Sequence, residues 1–311
     1  MADLCREFLK KFPDKPSRTL ARWIVEQYGK QNPDWTIEIV RSSIRGLRGT
    51  RGVYNRQSIP DDFFHQSYEL PIPSTYDSSD FRINEAGVLI LADLQIPFHD
   101  NQAIIATIRW AKRYSKQHQK VEAVLLNADI LDLYQLSTFS RDPRERIVEK
   151  EIEDCQDFLE LLQDEFGVPI YFKYGNHEER FERYLFTHAK DVSATLDERI
   201  DAKKFNCKII RDKRVIKIGH LNVIHGHELK GGAISPVNPA RTFFLKCKAP
   251  TLGGHHHTTS EHSGRAIDGK LITCWSTGCL CGLRPKYLPI NEWNHGFAFV
   301  RNDGKTFRVL N

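Results

Sequence analysis

No stretch of this 311-residue chain holds the ~20 consecutive apolar residues that a membrane span requires. The first eleven residues carry Asp3 and Glu7 and lack an apolar run followed by small residues, so a secretory leader is not expected. There is no internal repeat and no low-complexity tract. Cysteine is sparse: Cys5, Cys155, Cys207, Cys247, Cys274, Cys279 and Cys281 are odd in number and irregular in spacing, which argues against a disulfide framework. Cys279 and Cys281 form a CxC rather than the CxxC of zinc ribbons and redox sites. They are read as structural thiols, a further metal site being the lesser alternative. These absences argue against a membrane protein and a disulfide-stapled secreted module, and the expected compartment is the cytoplasm, or a host cytoplasm if the source is viral.

Apolar residues make up 40% of the chain and charged residues 27%, the composition of a folded globular protein. The net charge is +5, unevenly placed. Residues 1–60 hold twelve Lys/Arg against six Asp/Glu, a net of +6, so the remaining residues sum to −1. A basic appendage on a near-neutral body points to an anionic partner, nucleic acid (DNA or RNA) first.

Residues 1–56 read as a small helical domain. Pro16-Ser17 followed by Leu20, Trp23 and Ile24 predicts one amphipathic helix, and Asn32-Pro33-Asp34 a break. Thr36 then caps a second helix whose Ile37, Val40, Ile44 and Leu47 make an apolar stripe, ending around Gly46 to Gly52. Arg41, Arg45 and Arg48 run beside that stripe. Two helices with a short turn and an arginine row resemble a helix-turn-helix, which makes these three the candidate nucleic-acid contacts. The alternative is a solvated or domain-docking face. Residues 57–84, with Pro60, Pro71, Pro73 and a Ser/Asp cluster, read as a linker.

From residue 85 to 311 the pattern changes. Apolar runs at 88–91, 121–126 and 170–173 alternate with helix-like segments at 101–118 and 146–166, predicting an α/β core. Beyond residue 208 the chain turns strand-rich. Polar clusters stand at the ends of the apolar runs: Asp93-Leu94-Gln95, Asp129-Ile130-Leu131-Asp132, Gly175-Asn176-His177-Glu178, His225-Gly226-His227 and Gly254-His255-His256-His257. A strand-end aspartate alone is as readily a helix cap, and Gly-Asn-His a turn. Five such clusters are harder to explain, because burying that many imidazoles and carboxylates without partners is costly, and a shared metal centre removes the cost. Carboxylate, imidazole and amide oxygen suit Mn²⁺, Zn²⁺, Fe²⁺ or Mg²⁺. Alternation along a strand sends His255 and His257 to one face, where they can serve one centre, and His256 to the other.

The order of these clusters resembles the five-motif signature of the calcineurin-like metallophosphoesterases: D-x-H, G-D-x-x-D, G-N-H-E/D, H and G-H-x-H. The resemblance spans about residues 86–300 and is complete at Gly175–Glu178 and Gly254–His257. It implies a four-layer α-β-β-α sandwich and a hydrolase for phosphoester bonds with two divalent ions. Asp93 and His257 would hold the first ion, Asp129 would bridge, and Asn176, His225 and His255 would hold the second. His177, oriented by Asp132, would act on the leaving-group oxygen. Two departures stand out. Gln95 replaces the usual histidine, a weaker and harder donor that favours Mn²⁺ or Mg²⁺ over Zn²⁺. Ala128 replaces a glycine and removes no ligand. Some phage and bacterial members share the Asp-Leu-Gln start and a stretch like Trp293–Ala298. Arg180 and Arg183, on the segment leaving Glu178, are candidate phosphate contacts, with pairing to Glu179 or Glu182 the alternative. His99 is a lesser candidate to replace the missing imidazole. The expected activity is a nuclease-like phosphodiesterase, the alternatives being a phosphomonoesterase or protein phosphatase, or a non-catalytic binding protein.

Overall fold

A computed structural model describes residues 1–49, 74, 79–138, 142, 148–229 and 236–311. The chain divides into two compact units, Met1–Thr75 and Tyr76–Asn311. Most of the expected linker, including 57–73 and 75–78, lies outside the described residues.

The first unit contains three helices where the sequence suggested two: α1 (Ala2–Lys11), α2 (Ser17–Tyr28) and α3 (Ile37–Arg48). Cys5 and Leu9 of α1 close over Leu20, Ala21 and Ile24 of α2 and Val40 and Ile44 of α3. Three short helices enclose an apolar centre that two would leave open to water. Thr36 caps α3 as expected, its Oγ1 accepting from the Ile39 N–H at 3.3 Å. Pro16, not Ser17, occupies the cap position of α2. The third helix runs through Gly46 and ends at Arg48. Gly49 caps it in extended backbone, its N–H donating to the Arg45 carbonyl at 2.8 Å, within the glycine-containing range expected. The Arg48 guanidinium donates to the carbonyls of Pro13 (2.8 Å) and Lys15 (2.6 Å) and to Ser17 Oγ (3.1 Å).

The second unit is a mixed α/β sandwich of two six-stranded mixed sheets. One sheet contains β1 (Phe81–Ile83), β6 (Ile216–Ile218), β7 (Leu221–Val223), β8 (Thr251–Gly253), β10 (Leu271–Ser276) and β9 (Ser260–Arg265), in that order. The other is β12 (Phe307–Leu310), β11 (Ala298–Asn302), β2 (Gly87–Leu91), β3 (Ala123–Asn127), β4 (Ile170–Lys173) and β5 (Cys207–Ile210). Strands β2 to β5 are parallel, so connections cross over through α4 (Asn101–Gln117), α5 (Val148–Phe166), α6 (Glu178–His188) and α7 (Leu196–Arg199). Strand β1 lies inside the stretch read as linker, where Phe81–Ile83 pairs with β6.

Side-chain alternation assigns the layers. Val88, Ile90, Ala123, Leu125 and Tyr171 pack against Ile216, Ile218, Val223 and Leu252 of the other sheet. Leu89, Leu91, Val124, Leu126, Ile170 and Phe172 face the opposite way, onto Ile104, Ile108, Cys155, Leu159 and Phe181 of the helices. On the outer face of the first sheet, α8 (Pro239–Cys247) covers Cys274 with Ala240 and Phe243. Strands buried on both faces read as unbroken apolar runs, which is why β2, β3 and β4 were visible in the sequence. No helix among the described residues is long and apolar enough to cross a membrane.

Candidate metal centre

The carboxyl ends of β2, β3 and β4 in one sheet and of β7 and β8 in the other feed loops that converge. Open α/β sheets gather polar groups at such ends because the loops there line a crevice. Asp93 and Gln95 follow β2, Asp129 and Asp132 follow β3, Asn176 and His177 follow β4, His225 follows β7, and His255 and His257 follow β8.

Backbone hydrogen bonds tie these loops together. Asp93 N–H donates to the Ala128 carbonyl (3.2 Å), Gln95 N–H to that of Asp129 (2.9 Å), and Gly254 N–H to that of His225 (2.7 Å). Asp93, Gln95, Ala128, Asp129, His255 and His257 all have left-handed backbone, with φ between 50° and 73°. Non-glycine residues in that region are strained, and strain of this kind collects where surrounding contacts impose a functional geometry. Residues 255–257 are therefore a turn and not a strand, and the alternation argument for them fails. The turn nevertheless brings His255 and His257 into the cluster. His255 Nδ1 lies 3.2 Å from His225 Nε2, and His257 Nε2 lies 3.2 Å from Asp93 Oδ1. The two glycines at the motif positions are required by crowding. A Cβ on Gly175 would fall onto Asp129 Oδ1, and one on Gly254 would lie 2.6 Å from Asp93 Oδ2.

Asp129 is at the middle. Its Oδ2 is 3.1 Å from His225 Nε2 and 3.6 Å from His177 Nε2, while its Oδ1 accepts the His177 N–H at 3.1 Å. His225 donates from Nδ1 to the Asn127 carbonyl (3.2 Å), which leaves Nε2 facing Asp129. The Gln95 amide stands 3.3 Å from His257 Nε2, so this side chain reaches into the cluster where the resemblance calls for an imidazole. Among the described residues, Asp129, His225 and His255 offer ligand atoms within 4.8 Å of one another, and so do His257, Cys279 and Cys281.

Electrostatics follow from burial. Asp93 and Asp129 are almost wholly buried. Burial alone would raise their carboxyls. Instead His257 holds Asp93 below the usual range, and His177 and His225 hold Asp129 well below it. Reciprocally, burial would lower His225, yet Asp129 and Asp93 push it up to about 10. His255, buried and beside a positive His225, falls to about 4. Carboxylates this deep require positive charge at contact distance. Two buried oxygens in the cluster accept no well-formed hydrogen bond from protein: Asn176 Oδ1, and Asp93 Oδ1, whose near neighbour is His257 Nε2 at 3.2 Å. Unsatisfied carboxylate and amide oxygens beside imidazoles are a donor set that fits hard or borderline divalent ions.

His177 and Arg180 form the outer part of the site. His177 Nδ1 is 2.9 Å from the Asp132 carbonyl and 3.1 Å from its Oδ1. Arg180 donates to His177 Nε2 (3.0 Å) and to the Asp132 carbonyl (2.7 Å), so neither Glu179 nor Glu182 claims it. Those acids face His227 and Lys213, and Arg211, respectively. Arg183 is exposed. His99 pairs its backbone with Cys281. In the helical unit, Arg41 pairs with Glu38 (3.2 Å), Arg45 is exposed and Arg48 is engaged in its own unit's turn.

Several structural roles had no signal in the spacing. The buried Glu178 carboxylate accepts four backbone N–H groups, from Asp129, Ile130, Leu131 and Gly175, at 2.8–3.1 Å. It holds the β3 and β4 loops in one piece. Glu228 does the same after β7, accepting from His225 N–H (2.9 Å) and Gly226 N–H (2.6 Å) and pairing with fully buried Lys173 at 3.0 Å. The available clues were that Glu178 closes the Gly175–Glu178 cluster and that Glu228 immediately follows His225-Gly226-His227.

No protein-family model matches the chain, and no curated protein does. Among solved structures, the chain is similar to the Pseudomonas putida nuclease MPE, with 11% identity and a TM-score of 0.33 over 69% of this chain and 84% of that one.

Proposed function

We propose that this protein is a metal-dependent phosphoester hydrolase of the metallophosphoesterase type, acting as a phosphodiesterase on nucleic acid. One observation carries the reading: buried Asp129 lies between His225 and His177, with the Asp93–His257 pair on the adjoining loops. Asp93, Gln95 and His257 would hold one divalent ion and Asn176, His225 and His255 a second, with Asp129 between them. Mn²⁺ is the favoured ion, because an amide oxygen from Gln95 is a harder donor than imidazole. Such a pair of ions supplies charge stabilisation for an in-line displacement at phosphorus.

The chain's own groups do the rest. Asp132 accepts the Nδ1 proton of His177, which leaves Nε2 between Asp129 Oδ2 and Arg180. That nitrogen is placed to pass a proton to the leaving oxygen. Asp129 and Asp132 raise the His177 pKa against the opposing effects of burial and of Arg180. Arg180 would exchange its hydrogen bond to His177 for a phosphate oxygen, freeing Nε2 for the proton. Nucleic acid is preferred over small phosphoesters because the first 60 residues carry a net +6.

The test is hydrolysis of an aryl phosphodiester and its monoester counterpart across Mn²⁺, Mg²⁺ and Zn²⁺, followed by DNA and RNA. Metal-dependent diester cleavage that disappears in Asp129→Asn is expected. Monoester preference would transfer the assignment to a phosphatase. A folded protein inert with every ion would remove the hydrolase reading.

A further inference from the structure

Cys279 and Cys281 lie on the chain just beyond β10, and both are buried, as is His257. The Cys281 Sγ is 3.8 Å from His257 Nδ1. The Cys279 Sγ lies 3.9 Å from the Cys281 carbonyl and 3.7 Å from the Asn294 carbonyl. The two sulfurs and one nitrogen of His257 fall within 4.8 Å of one another, the spacing of ligands around a single ion. His257 thus presents its two nitrogens to different chemistries. Nε2 faces the Asp93 carboxylate and the Gln95 amide, and Nδ1 faces sulfur.

The sulfur side is held by backbone. Cys279 N–H donates to the Asn294 carbonyl (3.0 Å), Gly296 N–H to the Cys279 carbonyl (3.2 Å), and Asn294 N–H to the His257 carbonyl (2.9 Å). One short segment, 294–296, therefore fixes the positions of both Cys279 and His257. The Trp293 ring lies 4.0 Å from that of His257, centre to centre, and covers it edge to face. Donors fixed by backbone before any ion arrives lose little freedom on binding one.

We propose that Cys279, Cys281 and His257 Nδ1 form a separate site for one thiophilic d¹⁰ cation, Zn²⁺ or Cu⁺. Two thiolates and an imidazole are a soft donor set that prefers these ions to Mn²⁺ or Mg²⁺. Three protein ligands leave zinc one open position and complete a trigonal environment for cuprous ion. Binding exchanges the two thiol protons, and the Nδ1 proton where present, for the ion, and the protons pass to solvent. The site shares His257 with the proposed dinuclear centre but does not depend on hydrolysis.

Full-length protein, reduced and stripped with chelator, is titrated with Co²⁺ as a spectroscopic stand-in for zinc, and separately with Cu⁺ against a chromogenic chelator. Expected is a sulfur-to-cobalt charge-transfer band saturating at one equivalent, displaced by Zn²⁺, retained in Asp129→Asn and lost in Cys281→Ser. Retention of the Cu⁺ ion against the chelator, with no displacement of cobalt by zinc, would assign the site to copper. Mass-mapped alkylation of wild-type protein gives a readout free of any folding defect in the variants: Zn²⁺ or Cu⁺ should slow modification of Cys279 and Cys281. Absence of both band and protection with either ion overturns the proposal. So does a band unchanged in Cys281→Ser, which would belong to another thiol. A band in Asp129→Asn without phosphoester cleavage in wild type would sink the hydrolase reading alone.

Discussion

His177 meets Asp132 twice, once at the backbone carbonyl and once at the carboxylate. This doubling decides how two substitutions should differ. His177→Ala removes the group proposed to protonate the leaving oxygen, and positioned acid–base groups contribute about 10²–10⁴-fold. Asp132→Asn removes a charge but leaves the backbone acceptor at 2.9 Å, so the ring keeps its tautomer. The expected loss in kcat on an aryl phosphodiester is on the order of 10-fold, well short of that for His177→Ala. Equal losses would show that the carboxylate, and not the carbonyl, orients the ring. The residues on this path stood out as candidates in the sequence because each follows an apolar run. What the sequence could not reveal is how Asp93, Gln95, Asp129, His255 and His257 reach one another. Each does so through left-handed backbone, a conformation in which Asp and His are enriched but far too rarely placed for their presence to mark it.

At the scale of elements, legibility followed apolar content. Strands β2, β3 and β4 are buried on both faces and announced themselves as apolar runs. Strand β8 is three residues long, and β9, Ser260–Arg265, alternates half-buried with exposed residues, mostly polar, so neither gave a pattern to read. One link between the sheets near the site was equally hidden, because it is a buried ion pair. Lys173 ends β4 and Glu228 follows β7. Burial would raise Glu228, but Lys173, with His225 and His227 behind it, lowers it from 4.5 to about 2. A carboxyl depressed in the folded state stabilises the protein above its unfolded pKa, and that contribution is lost as the pH falls towards the folded value. The window therefore runs from about 4.5 down to about 2. Above it, a shift of that size corresponds to about 3 kcal/mol. Urea unfolding of wild type and Glu228→Gln across this range should show a stability gap that is widest near neutrality and narrows with acid. A gap independent of pH would mean that the hydrogen bonds from His225 and Gly226, and not the charge, hold the loop.

For the whole molecule, two units of different character share one chain: a basic three-helix unit and an α/β sandwich whose loops converge on carboxylates and imidazoles. The sequence located the basic unit through its charge, but the arginine row drawn from spacing divides according to what each guanidinium meets. Arg48 is bound to two carbonyls and a hydroxyl, Arg41 faces Glu38, and Arg45 is exposed; on α2, Arg18 and Arg22 are exposed as well. Spacing alone cannot separate a cation that braces a turn from one that meets solvent, because both are charged residues on a helix. If this unit grips nucleic acid, the exposed set carries the phosphate contacts. Replacing Arg18, Arg22 and Arg45 by Ala in the full chain should weaken duplex DNA binding. The slope of log affinity against log salt should flatten by about 0.9 for each phosphate no longer neutralised. Arg48→Ala should do the opposite: leave that slope unchanged while lowering the melting temperature of the helical unit, since three hydrogen bonds to its own backbone and Ser17 are removed. A flattened slope in Arg48→Ala, with none in the triple variant, would move the DNA-binding surface to the α1–α2 corner. An unchanged slope in both would leave the basic unit without a nucleic-acid role, and the diester substrate would then have to be recognised by the sandwich alone.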